Sequence, residues 1–286
     1  MQRKQLAQTG VMLPEIGFGT YRYRGGAALL RNAIERGVSL IDTAELYGSE
    51  EVIGEAMKNL RDRAFVATKT NHWRYDEVLK CAEASLKRLQ CDSIDLYQLH
   101  WPNAAVPIAE TMAAMEALVA AGKVRFIGVS NFTVWEMQEA QRALGRQKIV
   151  SNQMRYSLVD RTIERELLRY CQWNQVTVIA YSPLGGSFQR ILDSDPEDVL
   201  GKVAQMTNRT KGQVALNWCI SKAGVVVIPK TESIRHLDEN CGSSDWRLSN
   251  EQIALLDNGI RCRSRSRWQV ALRRCARRTL QKLRRR

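Results

Sequence analysis

Asp42, Tyr47, Lys69 and His100 are the residues of this chain whose types and spacing best suit chemistry. They stand in the segments Leu40-Ile-Asp-Thr-Ala-Glu-Leu-Tyr47-Gly48, Val66-Ala-Thr-Lys69 and Leu96-Tyr-Gln-Leu-His100-Trp101, each just past an apolar run of strand-like composition. A lysine set between an aspartate and a tyrosine is a means of lowering a phenol pKa. The ammonium favours phenolate, and the carboxylate keeps the lysine charged and in place. From an ordinary value near ~10, the phenol would fall toward the working range of a general acid. His100 can donate a hydrogen bond to a polarised carbonyl oxygen. Together the four predict a site that reduces C=O. Singly, each has a plainer use: an Asp after Leu-Ile caps a helix, and a Lys after Phe-Val-Ala-Thr ends a strand in solvent. Their placement at the ends of successive predicted strands is what favours chemistry.

The elements that must position them alternate along the chain. Eight short runs rich in Val, Ile and Phe fall at residues 15–20, 39–43, 64–69, 94–100, 124–131, 149–154, 176–181 and 225–229. They are continuously apolar, as expected of strands buried on both faces. Helical patterns lie between them at 28–36, 51–60, 76–89, 108–121, 135–143, 162–172 and 212–222, with Gly37, Gly122, Gly145 and Gly224 as stop signals. Eight β/α units in series predict an α/β fold, a (β/α)8 barrel. In that fold the catalytic groups sit at the C-terminal ends of the strands, where Asp42, Lys69 and His100 fall. Residues 5–14 read as a small hairpin that closes the barrel floor. Residues 187–199 read as a polar, irregular insertion over the mouth.

The 286 residues suffice for one such barrel, a fold of about 250 residues. No apolar run approaches the ~20 residues that span a bilayer, and no apolar segment follows the N-terminal Met1-Gln-Arg-Lys-Gln, so a cytoplasmic protein is expected. The seven cysteines lack zinc-ligand or CxxC spacing and read as reduced thiols. The three histidines are scattered, and the spacing indicates no metal site. Basic charge is concentrated at one end: the stretch from Arg261 to Arg286 holds twelve Lys or Arg and no acid, and without it the net charge falls from +13 to +1. The chain therefore divides into a barrel at 1–262 and a basic tail at 263–286, disordered or an amphipathic helix. The tail implies at most weak contact with anionic surfaces, with no specific nucleic acid.

Landmarks in order along residues 4–260 resemble the aldo-keto reductases, in the prokaryotic form with a short substrate loop at 101–107. They are Gly17-Phe-Gly-Thr20, Ile41-Asp-Thr-Ala-Glu-Leu-Tyr47-Gly, Leu99-His-Trp-Pro102, Ile127-Gly-Val-Ser-Asn-Phe132, Ala180-Tyr-Ser-Pro-Leu-Gly185 and Ile228-Pro-Lys230. The resemblance implies NAD(P)H-dependent reduction of aldehydes and ketones by a monomer. Tyr47 is the implied proton donor, Lys69 and Asp42 tune it, and His100 orients the carbonyl. Gly19 and Thr20 are implied beside the cofactor, with Ser130, Asn131 and Gln153 on the nicotinamide carboxamide and Tyr181 stacked on the ring. Ser182 and Leu184 are implied along the pyrophosphate. Lys230 and Thr231 meet the 2′-phosphate, Arg235 and His236 stand where many members carry one Arg, and Glu239 and Asn240 lie near the adenine. Trp101 is implied as the wall of the substrate pocket. NADPH is the expected cofactor, through Lys230, with NADH as the alternative. The family also contains channel-associated subunits, so the competing function is a cofactor-binding adaptor that docks through the tail.

Overall fold

The apolar runs pair side by side in one parallel sheet in the computed structural model, which describes residues 1–263 together with Gln269, Leu272 and Ala276. A hairpin comes first, β1 (Arg3–Gln5) against β2 (Met12–Pro14). The sheet follows: β3 (Phe18–Gly19), β4 (Leu40–Asp42), β5 (Phe65–Thr70), β6 (Ile94–Leu99), β7 (Val124–Ser130), β8 (Ile149–Arg155), β9 (Thr177–Tyr181) and β10 (Val225–Ile228). They run in sequence order, each parallel to the next. The last closes on the first through a parallel bridge between Ile16 and Val227 and a hydrogen bond from Gly17 N to Val227 O of 2.7 Å. The expected (β/α)8 barrel is present.

Two apolar cores explain the layering. Leu40, Phe65, Ala67, Leu96, Val150, Ile179, Val226 and Ile228 form an inner cluster, which Leu6 and Leu13 of the hairpin join from below. The hairpin thus plugs the floor, and Lys4 ties it there by donating to the carbonyls of Ile220, Lys222 and Val225. The other strand faces pack on the helices: α1 (Gly26–Glu35), α2 (Glu50–Met57), α3 (Tyr75–Leu89), α4 (Ile108–Ala120), α5 (Val134–Ala143), α6 (Leu167–Trp173), α7 (Phe188–Asp193), α8 (Val199–Thr207), α9 (Lys211–Ile220), α10 (Ile234–Cys241) and α11 (Asn250–Gly259).

Several expectations need correction. The insertion read as irregular at 187–199 contains α7, and the helices α8 and α11 were not foreseen, whereas the helical stretch expected after Lys230 and Thr231 is α10. For α11 a signal existed: Ser249 and Gln252 form a capping box, with Ser249 Oγ accepting from Gln252 N. The single helix expected at 162–172 is a 3-10 turn, Thr162–Arg165, then α6, broken where Glu166 leaves helical geometry at φ −144° and ψ −57°. Gly37, Gly122 and Gly224 do adopt left-handed φ, but Gly145 is not among the left-handed glycines; its N–H is held by the Glu116 carboxylate instead. Gly19 serves strand packing as well as the mouth, since a Cβ there would meet the Ile228 carbonyl oxygen at 2.6 Å. The disordered or amphipathic-helix reading of the tail at 263–286 lies outside the described residues, except at Arg263, Gln269, Leu272 and Ala276. Among the described residues, no helix is long and apolar enough to cross a membrane.

Candidate active site

Parallel register brings the chemical residues to one rim. Asp42 ends β4 and pairs with Ala67 of β5; two residues on, Lys69 lies opposite Gln98 of β6. His100 follows β6 and is fixed by a hydrogen bond from its N to Thr70 O of 2.9 Å. Tyr47 closes the 3-10 turn Glu45–Tyr47, and the left-handed Gly48 turns the chain into α2. Inside the barrel, Lys69 Nζ donates to Asp42 Oδ1 and to Thr43 O, both at 2.6 Å, and its side chain is fully buried. Asp42 Oδ2 accepts from Gln153 Nε2 at 2.6 Å and from Gln98 Nε2 at 3.4 Å. Above this pair, the Tyr47 hydroxyl lies 3.4 Å from His100 Nε2.

The electrostatics differ from the sequence expectation at one point. Lys69 was expected to lower the Tyr47 pKa. Burial, reinforced by the Asp42 carboxylate, instead raises the phenol well above its ordinary value. The physical reason is where the ammonium sits: it is committed to Asp42 and Thr43 and lies 5.0 Å from the centre of the Tyr47 ring. Its charge is largely neutralised before it reaches the phenol oxygen. Tyr47 therefore keeps its proton at neutral pH. Burial also pulls the two ionic partners toward neutrality, raising Asp42 and lowering Lys69, and their mutual attraction opposes both shifts.

His100 is held as neutral imidazole. Burial first, then the Lys69 charge, lower it to about 4. Asn71 Nδ2 lies 3.2 Å from His100 Nδ1. An amide NH2 only donates, so Nδ1 accepts and the ring proton sits on Nε2, beside Tyr47. This has a consequence for stability. Between pH 6.5 and about 4 the unfolded chain protonates this imidazole while the folded chain does not. The His100 contribution to stability is therefore intact above the unfolded value and is lost as pH falls through that window. Thermal midpoints taken at pH ~7.5 and ~5 should fall less for His100→Asn than for the parent chain. Parallel slopes would contradict the assignment.

These groups open into a cavity of about 490 Å³. Asp42, Tyr47, His100, Trp101, Gly19, Thr20, Ser130, Asn131, Gln153, Tyr181, Ser182, Leu184 and Lys230 all line it, so most of the residues singled out in the sequence meet at one place. Lys69 stands behind them in the barrel. Thr231, Arg235, His236, Glu239 and Asn240 are not among the lining residues; they lie beyond Lys230, on and before α10. There Thr231 Oγ1 orders the turn by accepting from Ser233 N at 3.2 Å, Arg235 donates to His236 Nε2 at 3.1 Å, and Glu239 accepts from Thr210 Oγ1 at 2.6 Å. Asn240 is buried.

Two lining residues other than glycine are held in left-handed backbone: Asn131 at φ 63° and Ser182 at φ 50°. Such geometry persists only where the surroundings impose it. At Asn131 the imposition is visible. Its Nδ2 donates to His100 O and Ser130 Oγ, and its Oδ1 accepts from the Tyr181 hydroxyl at 3.0 Å. Tyr21, Asn71, Gln98 and Arg155 were missed in the sequence. Tyr21 packs edge-on against Tyr47 with ring centres 5.1 Å apart. Arg155 ends β8 beside Gly186, where a Cβ would meet its Nη2 at 2.7 Å. A cation two residues past Gln153 at a strand end was the available signal for Arg155. Nothing local marked Asn71 or Gln98, whose roles depend on partners far along the chain.

The comparisons with known proteins agree with this geometry. The family model described as the aldo/keto reductase family matches residues 15–260. Methylglyoxal reductase YeaE of Escherichia coli (strain K12) is 40% identical over 271 residues, covering 90% of this chain and 95% of that protein. Glyoxal reductase of Bacillus subtilis (strain 168) is 34% identical, covering 87% of this chain and 89% of that protein. Among solved structures, an aldo/keto reductase from Klebsiella pneumoniae in complex with NADP and acetate superposes with a TM-score of 0.83 at 36% identity, covering 93% of this chain and 98% of that one. A match across nearly the whole barrel, joined to a rim that carries Asp42, Tyr47, Lys69 and His100, places the chain in the aldo/keto reductase family, an oxidoreductase of carbonyl compounds.

Proposed function

We propose that the chain is an NADPH-dependent reductase of small aldehydes and ketones, with Tyr47 as proton donor and His100 as the group that orients the carbonyl. The supporting observation is the pair of donors at the cavity wall. The Tyr47 hydroxyl and His100 Nε2–H stand 3.4 Å apart, close enough for one carbonyl oxygen to accept from both. His100 binds and polarises the carbonyl while remaining neutral. Tyr47 holds its proton until charge develops on that oxygen, then donates it. Lys69 and Asp42 keep the floor beneath Tyr47 rigid and electrically closed.

The residues present fit NADPH, which supplies hydride when bound. Gly185 and Gly186 both take left-handed φ, and the lack of a Cβ at Gly186 leaves room for the Arg155 guanidinium. Arg155 and Lys230 would hold the phosphates, Ser130, Asn131 and Gln153 the carboxamide, and Tyr181 the ring. The Gln153 amide NH2 is already engaged by Asp42, so its carbonyl oxygen is the group left for a ligand. Relatives named for methylglyoxal and glyoxal reduction support a small dicarbonyl as substrate. Following NADPH absorbance with methylglyoxal, glyoxal and bulkier ketones tests this. Absence of turnover across the panel would favour the adaptor alternative.

Lys230 offers a separate check. In the structure it pairs with Glu232 Oε1 at 2.8 Å, a carboxylate that a 2′-phosphate would displace. Lys230→Ala should weaken NADPH by roughly 10-fold or more, the scale of a hydrogen bond to a charged group, and NADH hardly at all. Fluorescence titration with each cofactor measures the two. Equal losses would place Lys230 away from the 2′-phosphate. We further infer a cytoplasmic monomer whose basic tail makes loose contact with anionic surfaces. Sedimentation, and vesicle binding with and without residues 263–286, check those points.

A further inference from the structure

Three side chains from separate segments converge beside the Tyr47 turn. Glu45 begins that turn, His72 follows β5, and Cys81 lies on the buried face of α3. One carboxylate oxygen, one ring nitrogen and the sulfur lie within 4.8 Å of one another. His72 Nε2 is 3.6 Å from Glu45 Oε2, and the Cys81 thiol hydrogen-bonds to the same oxygen. A tetrahedral zinc with O, N and S ligands holds them roughly 3.3–3.8 Å apart. The Glu45–His72 separation already fits, and the Cys81–Glu45 contact opens when a metal replaces the thiol proton, which passes to solvent. Thiolate, imidazole and carboxylate together suit zinc rather than magnesium or calcium.

One further observation points to a ligand at this place. Tyr97 is completely buried, and among the described residues its hydroxyl makes no well-formed hydrogen bond, having only the Cys81 thiol and Thr70 within electrostatic reach. A neutral thiol is a weak acceptor, whereas a metal-bound thiolate would satisfy that orphaned donor. With Nε2 of His72 toward Glu45, its Nδ1 faces the Glu77 carboxylate at 3.9 Å, beyond hydrogen-bond distance. Sequence spacing concealed the cluster because its members come from a turn, a loop and a helix that only the fold brings together.

We propose that Glu45, His72 and Cys81 bind one Zn2+ ion, and that its binding loosens His100. The link is Asn71. Its backbone N–H donates to Glu45 Oε1 at 2.5 Å, and its side chain holds His100 Nδ1 at 3.2 Å. A cation drawing Glu45 and His72 together pulls on both sides of Asn71, so zinc lowers carbonyl turnover. This second half rests on the reductase activity proposed above; the metal site itself does not.

The test uses the full chain, stripped with chelator. Co2+ is titrated while thiolate-to-cobalt absorption is followed in the near ultraviolet, and Zn2+ is then added in competition. One Co2+ should bind with that absorption and be displaced by Zn2+. His72→Ala, at a solvent-accessible position that leaves the core intact, should weaken binding about 10-fold or more, and Cys81→Ser should remove the band. Zn2+ should reversibly lower turnover of the parent chain and not of His72→Ala. An absent band, or one unchanged in both variants, overturns the site. Cobalt binding intact, with turnover indifferent to saturating Zn2+, overturns the coupling to His100. The absorption titration needs neither cofactor nor substrate, so its outcome is separate from that of the reductase assay.

Discussion

Tyr47→Phe should lower carbonyl turnover by ~10²–10⁴-fold, the usual worth of a positioned general acid, and leave NADPH affinity unchanged. The phenol hydroxyl is the group whose proton is poised at the cavity wall, and its protein contact is one long hydrogen bond to His100. Its removal therefore costs the fold little. The cofactor side of the cavity, from Ser130 to Lys230, is untouched by the change. Because burial and Asp42 raise the phenol pKa, the parent enzyme should show no loss of activity from phenol ionisation near neutral pH. Turnover and cofactor titration on one sample decide the matter. Retention of more than about a tenth of the parent kcat would remove Tyr47 from the donor role.

Lys69→Met should be costly in a different way. Among the described residues it strips the only cation from a carboxylate that is nearly free of solvent contact, leaving Asp42 with its two glutamine donors. Breaking a buried pair by removing one partner costs ~3–5 kcal/mol, which for a chain of this size is a fall in Tm on the order of 10 °C. Removing both charges is different. In Lys69→Met with Asp42→Asn, no uncompensated charge remains, and much of the stability should return. Turnover should stay low in both variants, because the floor beneath Tyr47 has been rebuilt. Thermal unfolding of the two single variants and the double variant measures the coupling. Additive losses would show that Asp42 and Lys69 do not act as a pair.

The barrel was legible because its cause is local. Strands buried on both faces are mostly apolar, and the runs that became β4 through β10 are rich in Val, Ile, Leu and Phe, with polar interruptions such as Lys69, Gln98 and Gln153. Helices with ordinary amphipathic faces, such as α3 and α5, declared themselves by period. The short helix α7 did not, since a helix of six residues carries too little pattern to be read. The reading of the site divides in the same way. Residue types at strand ends placed Asp42, Lys69 and His100 on one rim, and the rule that parallel barrels carry their groups there made the inference possible.

What the sequence by itself determined was the alternation of elements, the rim on which the chemistry sits and the family landmarks that run through it. The tertiary structure alone decided how those groups act on one another. An ammonium expected to pull down a phenol pKa instead faces Asp42 and Thr43, and burial outweighs what charge remains. The tautomer of His100 depends on Asn71, and the bracing of Asn71 depends on Glu45, contacts that join residues more than 20 positions apart. The same holds for Glu45, His72 and Cys81. Pairwise electrostatics and metal geometry vary over single ångströms, and those distances are set by packing across strands, which no spacing along the chain records.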